Sequence, residues 1–163
     1  MSARSEMLLL SAALERALLI TGQELGNIQL IDWNAGHMEI ATQQGFKDEF
    51  LGSFHRVTMR DSCACGRALL ARKSIVIDDV AADRQFAPYL GIARRAGFRA
   101  VQSTPLATFN GALLGMISTH GRYSPTPLQL AQIKTLALET ANELVRCRSM
   151  EEAERGTHSY SLG

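Results

Sequence analysis

The chain has 163 residues, 46% of them hydrophobic, and 17 Lys and Arg set against 16 Asp and Glu leave a net charge of +1. That length is one domain's worth of sequence with a sizeable core, and a balanced charge without a basic excess excludes an electrostatic nucleic-acid binder. Three cysteines, Cys63, Cys65 and Cys147, make an odd count without framework spacing, so a reduced, cytoplasmic setting is expected.

The first apolar stretch, Met7 to Leu14, is interrupted by Glu15 and Arg16. It is too short to span a bilayer, and no small-residue cleavage site follows it as a secretory signal requires. No direct membrane insertion is expected. The stretch reads as part of a helix from Ser2 to about Leu19, with Leu10, Leu14, Ala17 and Leu18 at helical spacing. Leu8, Leu9, Leu19 and Ile20 widen the apolar surface, so this helix needs two neighbours, a sheet and a second helix.

Two strand-like runs, Ile28 to Trp33 and Met38 to Thr42, flank Asn34-Ala35-Gly36 and predict a β-hairpin. Lys47 to Phe54 predicts a helical turn, and Asp61 or Ser62 is placed to cap a short helix through Leu70. Ser74 to Ile77 is a short strand, and Phe86 to Ala96 reads as irregular structure followed by a helix that stops at Gly97. A second hairpin pairs Arg99–Ala107 with Ala112–His120 across Asn110-Gly111, a dipeptide that supports positive backbone angles. Pro105 cannot donate to a strand ladder and is expected at an edge or irregularity. The last element is a helix from about Thr126 to Met150, opened by Pro125 and Pro127, with Leu130, Ile133, Ala137, Ala141 and Leu144 as its apolar stripe. One domain over residues 1–154 is expected, followed by a polar, flexible tail over 155–163. This order describes an antiparallel sheet with the terminal helices on one face, leaving residues 45–98 to cover the other and enclose a pocket.

Several stretches resemble the GAF domains of bacterial two-component sensor proteins. They are Cys65-Gly66-Arg67-Ala68-Leu69, Ile75-Val76-Ile77-Asp78-Asp79-Val80, the run Ala96 to Leu106, and Gly111 to His120. The resemblance spans Ala17 to Arg148. It implies an α+β fold of α/β/α layers: a central antiparallel sheet of five or six strands, terminal helices on one face, and short helices and loops covering a ligand-sized pocket on the other. It also implies a place in a larger signalling protein, such as a sensor histidine kinase, and a homodimer formed through the terminal helices. The chain shows no phosphoacceptor-histidine motif and no Gly-rich ATP lid, so no catalysis is expected of this domain.

Within that frame Met116, Ser118 and His120 alternate onto one sheet face, and Val101 and Ser103 on the neighbouring strand share it. They either floor a pocket, with Ser118 and His120 as hydrogen-bonding groups, or leave His120 idle and half-exposed at a strand end. Phe86 and Phe98 are further pocket candidates, or with Val101 and Met116 they fill a vestigial one. Arg94, Arg95 and Arg99 cluster around Gly97 and would suit an anionic ligand, or else they solvate the surface and pair with Asp78, Asp79 or Asp83.

Cys63 and Cys65, with His55 nearby, lack the four ligands of a structural zinc site, and no metal is expected. Cys65 is a pocket candidate and otherwise a small core residue. Phytochrome-type relatives carry a bilin, but the attachment Cys-His pair would fall near Pro88 and Tyr89, where neither residue matches. No covalent bilin is expected, and the identity of any cofactor or small-molecule partner is left open. A free-methionine sulfoxide reductase shares the fold, but its third active-site thiol has no counterpart beside Cys63 and Cys65.

Overall fold

The computed structural model describes residues 3–160, and side chains through Thr157. The expected helix start at Ser2 and the end of the tail, residues 161–163, lie outside the described residues. Helix α1 runs Ala3–Thr21, followed by strands β1 (Leu25–Asp32) and β2 (His37–Gln44). The middle of the chain forms α2 (Asp48–Ser53), the two-residue β3 (Arg56–Val57), α3 (Ala64–Ala71), β4 (Ile75–Ile77), a 3-10 turn (Arg84–Tyr89) and α4 (Leu90–Ala96). Strands β5 (Ala100–Ala107) and β6 (Leu113–Gly121) and helix α5 (Pro127–Tyr160) complete it.

All six strands form one antiparallel sheet in the order β3-β2-β1-β6-β5-β4, the α+β architecture expected. The first and last strands in sequence are thereby kept from the edges, and the two hairpins join at the β1–β6 seam, where Leu25 faces His120 and Leu30 faces Gly115. Pro105 sits opposite Met116. The neighbour β4 ends with Ile75 opposite Ser103, so β5 is locally an outer strand at the proline and no ladder donor is missed there.

The helix face is apolar and tightly built. Leu10, Ala13, Leu14, Ala17 and Leu18 of α1 meet Ile133, Ala137, Ala141 and Leu144 of α5 over Ile28, Leu106 and Ile117 of the sheet. The alanines keep the helices close to each other and to the strands, and Arg148 reinforces the seam with a bidentate pair to Glu6 at 2.8 and 3.0 Å. Helix α5 opens with a reciprocal cap. The Gln129 N–H donates to Thr126 Oγ1 at 3.2 Å, the Thr126 N–H donates to Gln129 Oε1 at 2.8 Å, and Pro127 takes the first helical position.

Four local expectations need correction, and one short strand is an addition. Trp33 lies in the first turn, not in a strand, because Asp32 Oδ1 accepts from the N–H groups of Asn34 and Ala35 and bends the chain early. Neither Asp61 nor Ser62 caps α3. Cys63 is its N-cap residue, and Asp61 instead accepts from the N–H and Oγ1 of Thr58 at 2.7 and 3.2 Å. In the second hairpin Gly111 alone takes a positive φ, 84°, while Asn110 does not. The pairing of β3 with β2 has no sequence signal, since two residues carry no periodicity. Helix α5 continues past Met150 to Tyr160, so part of the tail expected from Arg155 onward is helical.

Candidate functional site

The second face of the sheet is covered by residues 45–98, as expected. Side chains alternate along β5 and β6, so Val101, Ser103, Met116, Ser118 and His120 turn toward this cover while Gln102, Thr104, Ile117 and Thr119 turn toward the terminal helices. On β1, Asn27 and Gln29 stand opposite Ser118 and Met116 and share the covered face. The cover itself is aromatic. Phe46, Phe50 and Phe54 recur every fourth residue along the segment that includes α2, and Phe86 and Phe98 approach from the other side. Phe46 and Phe50 stack with ring centroids 3.6 Å apart.

His120 is the centre of this arrangement. Its ring lies 4.7 Å from Phe98, 5.0 Å from Phe46 and 5.6 Å from Phe50, edge to face in each case. It is only 6% exposed, so the idle half-exposed histidine is not what the fold makes of it. Burial lowers its pKa from the ordinary 6.5 to about 3, which keeps the imidazole neutral, and its Nδ1 has no hydrogen-bond partner. Nearby, the Ser103 and Ser118 hydroxyls bond each other at 2.6 Å. Asn27 Oδ1 and both amide atoms of Gln29 are buried without partners on the same face.

Of the residues singled out from sequence, Val101, Ser103, Ser118, His120, Phe86, Phe98 and Cys65 line one cavity, joined by Cys63, Ala64, Phe50 and Phe54. Met116 lies on the same face, fully buried beneath it. Arg94 and Arg99 do not join them. Arg94 is exposed on α4, and Arg99 points outward and pairs with Asp79 at 2.7 Å, which raises the guanidinium pKa and lowers that of the carboxyl. Their length and charge favour water over an aromatic interior with no acidic partner. The expected ligand-sized space is also corrected: the phenylalanines leave a cavity of about 10 Å³, room for about one water molecule. A wider groove of about 540 Å³ opens outside it, between the end of α1 and the β6–α5 connection, and His120 lines both.

His55 is exposed and takes no part in the Cys63–Cys65 pair. Among the described residues no three His, Cys, Asp or Glu side chains are grouped to hold a metal ion, and no helix is long and apolar enough to cross a membrane. Sequence reasoning missed Phe46, Phe50 and Phe54, whose four-residue spacing was a readable sign of one buried stripe. It also missed Asn27 and Gln29, whose alternation along β1 was equally visible.

Residues 3–144 match the family described as GAF domain. No curated protein matches the chain. Among solved structures, a domain named for a two-component sensor histidine kinase protein of Sinorhizobium meliloti 1021 is similar at a TM-score of 0.69 and 19% identity, covering 90% of this chain and 94% of that one. The blue-light absorbing form of the Thermosynechococcus elongatus PixJ GAF domain is similar at 0.69 and 13%, covering 96% and 94%. Free methionine-R-sulfoxide reductase from Neisseria meningitidis, with its substrate, is similar at 0.63 and 16%, covering 89% and 84%. At these identities the likeness is one of fold.

Proposed function

We propose, from the premise that this chain belongs to the GAF domain family, that it senses a small molecule and relays the event through α1 and α5. A sensory, regulatory role is what the family membership and the signalling-protein neighbours support. The finer reading is a module of a cytoplasmic two-component sensor histidine kinase, with kinase activity residing in other segments of such a protein.

One observation carries the reading. Strand β6 presents Met116, Ser118 and His120 to the cover and Ile117 and Thr119 to the helix face, so anything that displaces the first set moves the seat of the terminal helices. A ligand acts through its different affinity for two arrangements of those helices. His120 stands between the outer groove and the inner cavity, which makes it the gate to the aromatic interior. The relay partner is a second copy of the chain. Met7, Leu8 and Leu19 of α1 and Leu128, Val145 and Met150 of α5 are large apolar side chains left exposed on the two helices.

Mass spectrometry of the denatured, purified protein tests for a carried molecule, and sedimentation velocity tests for the dimer. An equimolar small molecule that is lost from His120→Ala supports sensing. A bare protein that also binds nothing from a native mass-spectrometry screen sinks it. The second reading, a ligand-free structural and dimerisation module, is favoured by the cavity of about 10 Å³ already filled by phenylalanine rings.

A further inference from the structure

Cys63 and Cys65 lie where the chain enters α3. Two residues both inside a helix and two positions apart point to different sides. Cys63, however, precedes the helix in extended conformation (φ −67°, ψ 166°), and its side chain folds back over the first turn. The two sulfurs consequently sit 3.4 Å apart, both buried. The turn is held from beneath as well. Gly66 packs so closely on the preceding loop that a Cβ there would lie 2.3 Å from the Asp61 carbonyl oxygen, and Asp61 is anchored by Thr58. Both sulfurs border the cavity of about 10 Å³ under the aromatic cover.

The pair is also electronically unequal. A hydrogen bond from the Cys65 thiol, helped by the Gly66 N–H, draws the Cys63 pKa below the ordinary thiol range against the opposing effects of burial and Asp61. The same bond and burial push Cys65 upward. Cys63 is thus the sulfur that reacts as thiolate, and Cys65 is a protonated thiol in contact with it. Cys147 lies on α5, beside Glu143, and takes no part.

We propose that Cys63 and Cys65 are a stoichiometric redox switch, oxidised by hydrogen peroxide to an intramolecular disulfide. The Cys63 thiolate attacks one peroxide oxygen, the O–O bond breaks, and the departing hydroxide takes up a proton to leave as water. The Cys65 sulfur then attacks the resulting Cys63 sulfenic acid, the S–O bond breaks, and a second water carries away the oxygen and the Cys65 proton. Two thiols and one peroxide become one disulfide and two waters. A cavity of one water's size excludes an alkyl hydroperoxide, while hydrogen peroxide, the smallest peroxide, enters with the least displacement of the aromatic cover. Contracting a 3.4 Å contact to a bond of about 2.05 Å displaces the first turn of α3, which packs on β4 and β5. Oxidation therefore reaches the sheet without any carried ligand.

The test oxidises the full reduced chain, alkylates the remaining thiols and maps the tryptic peptide Asp61–Arg67, which contains both cysteines and no others. Dilute hydrogen peroxide is expected to yield that peptide short of two hydrogens and unalkylated, a change reversed by dithiothreitol, while cumene hydroperoxide leaves it reduced. Cys65→Ser is expected to stop at a dimedone-trappable sulfenic acid on Cys63, Cys63→Ser to lose the reaction, and Cys147→Ser to behave as wild type. The wild-type map decides the matter even where a variant folds poorly. The switch is overturned if the pair stays reduced at doses that consume free glutathione, if Cys63 advances to sulfinic acid with no disulfide, or if cumene hydroperoxide reacts equally fast.

Discussion

The two faces of the sheet bury similar amounts of polar chemistry and treat it differently. Toward the terminal helices, Gln102 donates to Thr119 Oγ1 at 3.2 Å and accepts from Thr104 Oγ1 at 2.7 Å, and Ser74 donates to Thr104 Oγ1 at 3.1 Å. Toward the aromatic cover, Asn27 Oδ1, both ends of Gln29 and His120 Nδ1 are buried without partners. A buried polar group left unsatisfied costs about 1–3 kcal/mol. The helix face is thus finished as a rigid seat, and the covered face gives up stability around its polar floor. That division suits a domain in which one face receives an event and the other transmits it.

The comparison breaks most readily at the helix face. Ile117 is fully buried beneath α1 and α5, and Ile117→Ala is expected to cost about 2–5 kcal/mol in urea denaturation. A loss well under that range means that the helices reseat and that the seat is not rigid.

His120 sharpens the contrast through pH. It titrates near 6.5 when unfolded and is lowered to about 3 by burial in the fold, so the unfolded chain binds more protons between those values. Its contribution is full above about pH 6.5 and falls as the pH drops toward 3, by about 1.4 kcal/mol per unit, a loss of about 3 kcal/mol at pH 4. His120→Leu is expected to lack that component, so the difference between the two proteins' stability profiles should rise with pH from 4 to 6.5. Parallel profiles would mean that solvent reaches the imidazole.

Two matched substitutions probe the faces directly. Gln102→Met removes the acceptor of the Thr104 O–H and the donor to Thr119 Oγ1 and is expected to destabilise by about 1–3 kcal/mol, whereas Gln29→Met removes two orphaned groups and is expected to be neutral or stabilising by up to about 1–3 kcal/mol. Equal losses in the two variants would erase the distinction between the faces. The smallest effect belongs to neither face. Arg99→Ala removes an exposed pair with Asp79 and is expected to leave the thermal midpoint within error of wild type.

The alternation of Met116, Ser118 and His120 against Ile117 and Thr119 is legible in the amino-acid order, because strand period alone assigns residues to faces. The helix stripes are legible for the same reason: Leu10, Leu14, Ala17, Leu18, Ile133, Ala137, Ala141 and Leu144 are buried as their spacing requires, while Leu130, in the first turn of α5, is only half-buried. The site is less legible. Period places His120 on the covered face but says nothing of what covers it, and Phe46 and Phe50 from a distant segment, together with Phe98, decide that it is buried and neutral. Arg94 and Arg99 group by proximity along the chain, yet α4 and the start of β5 aim them at solvent.

From local patterning the chain specified its element types, their order and the two-sided sheet, since each depends on backbone propensity and side-chain period within a few residues. Strand order, the closure of the cover down to a one-water cavity, the orphaned amides of β1 and the contact between the Cys63 and Cys65 sulfurs were decided by tertiary packing. Those depend on which distant surfaces exclude water together and on a backbone angle at one helix entry, and no periodicity along a single segment encodes either.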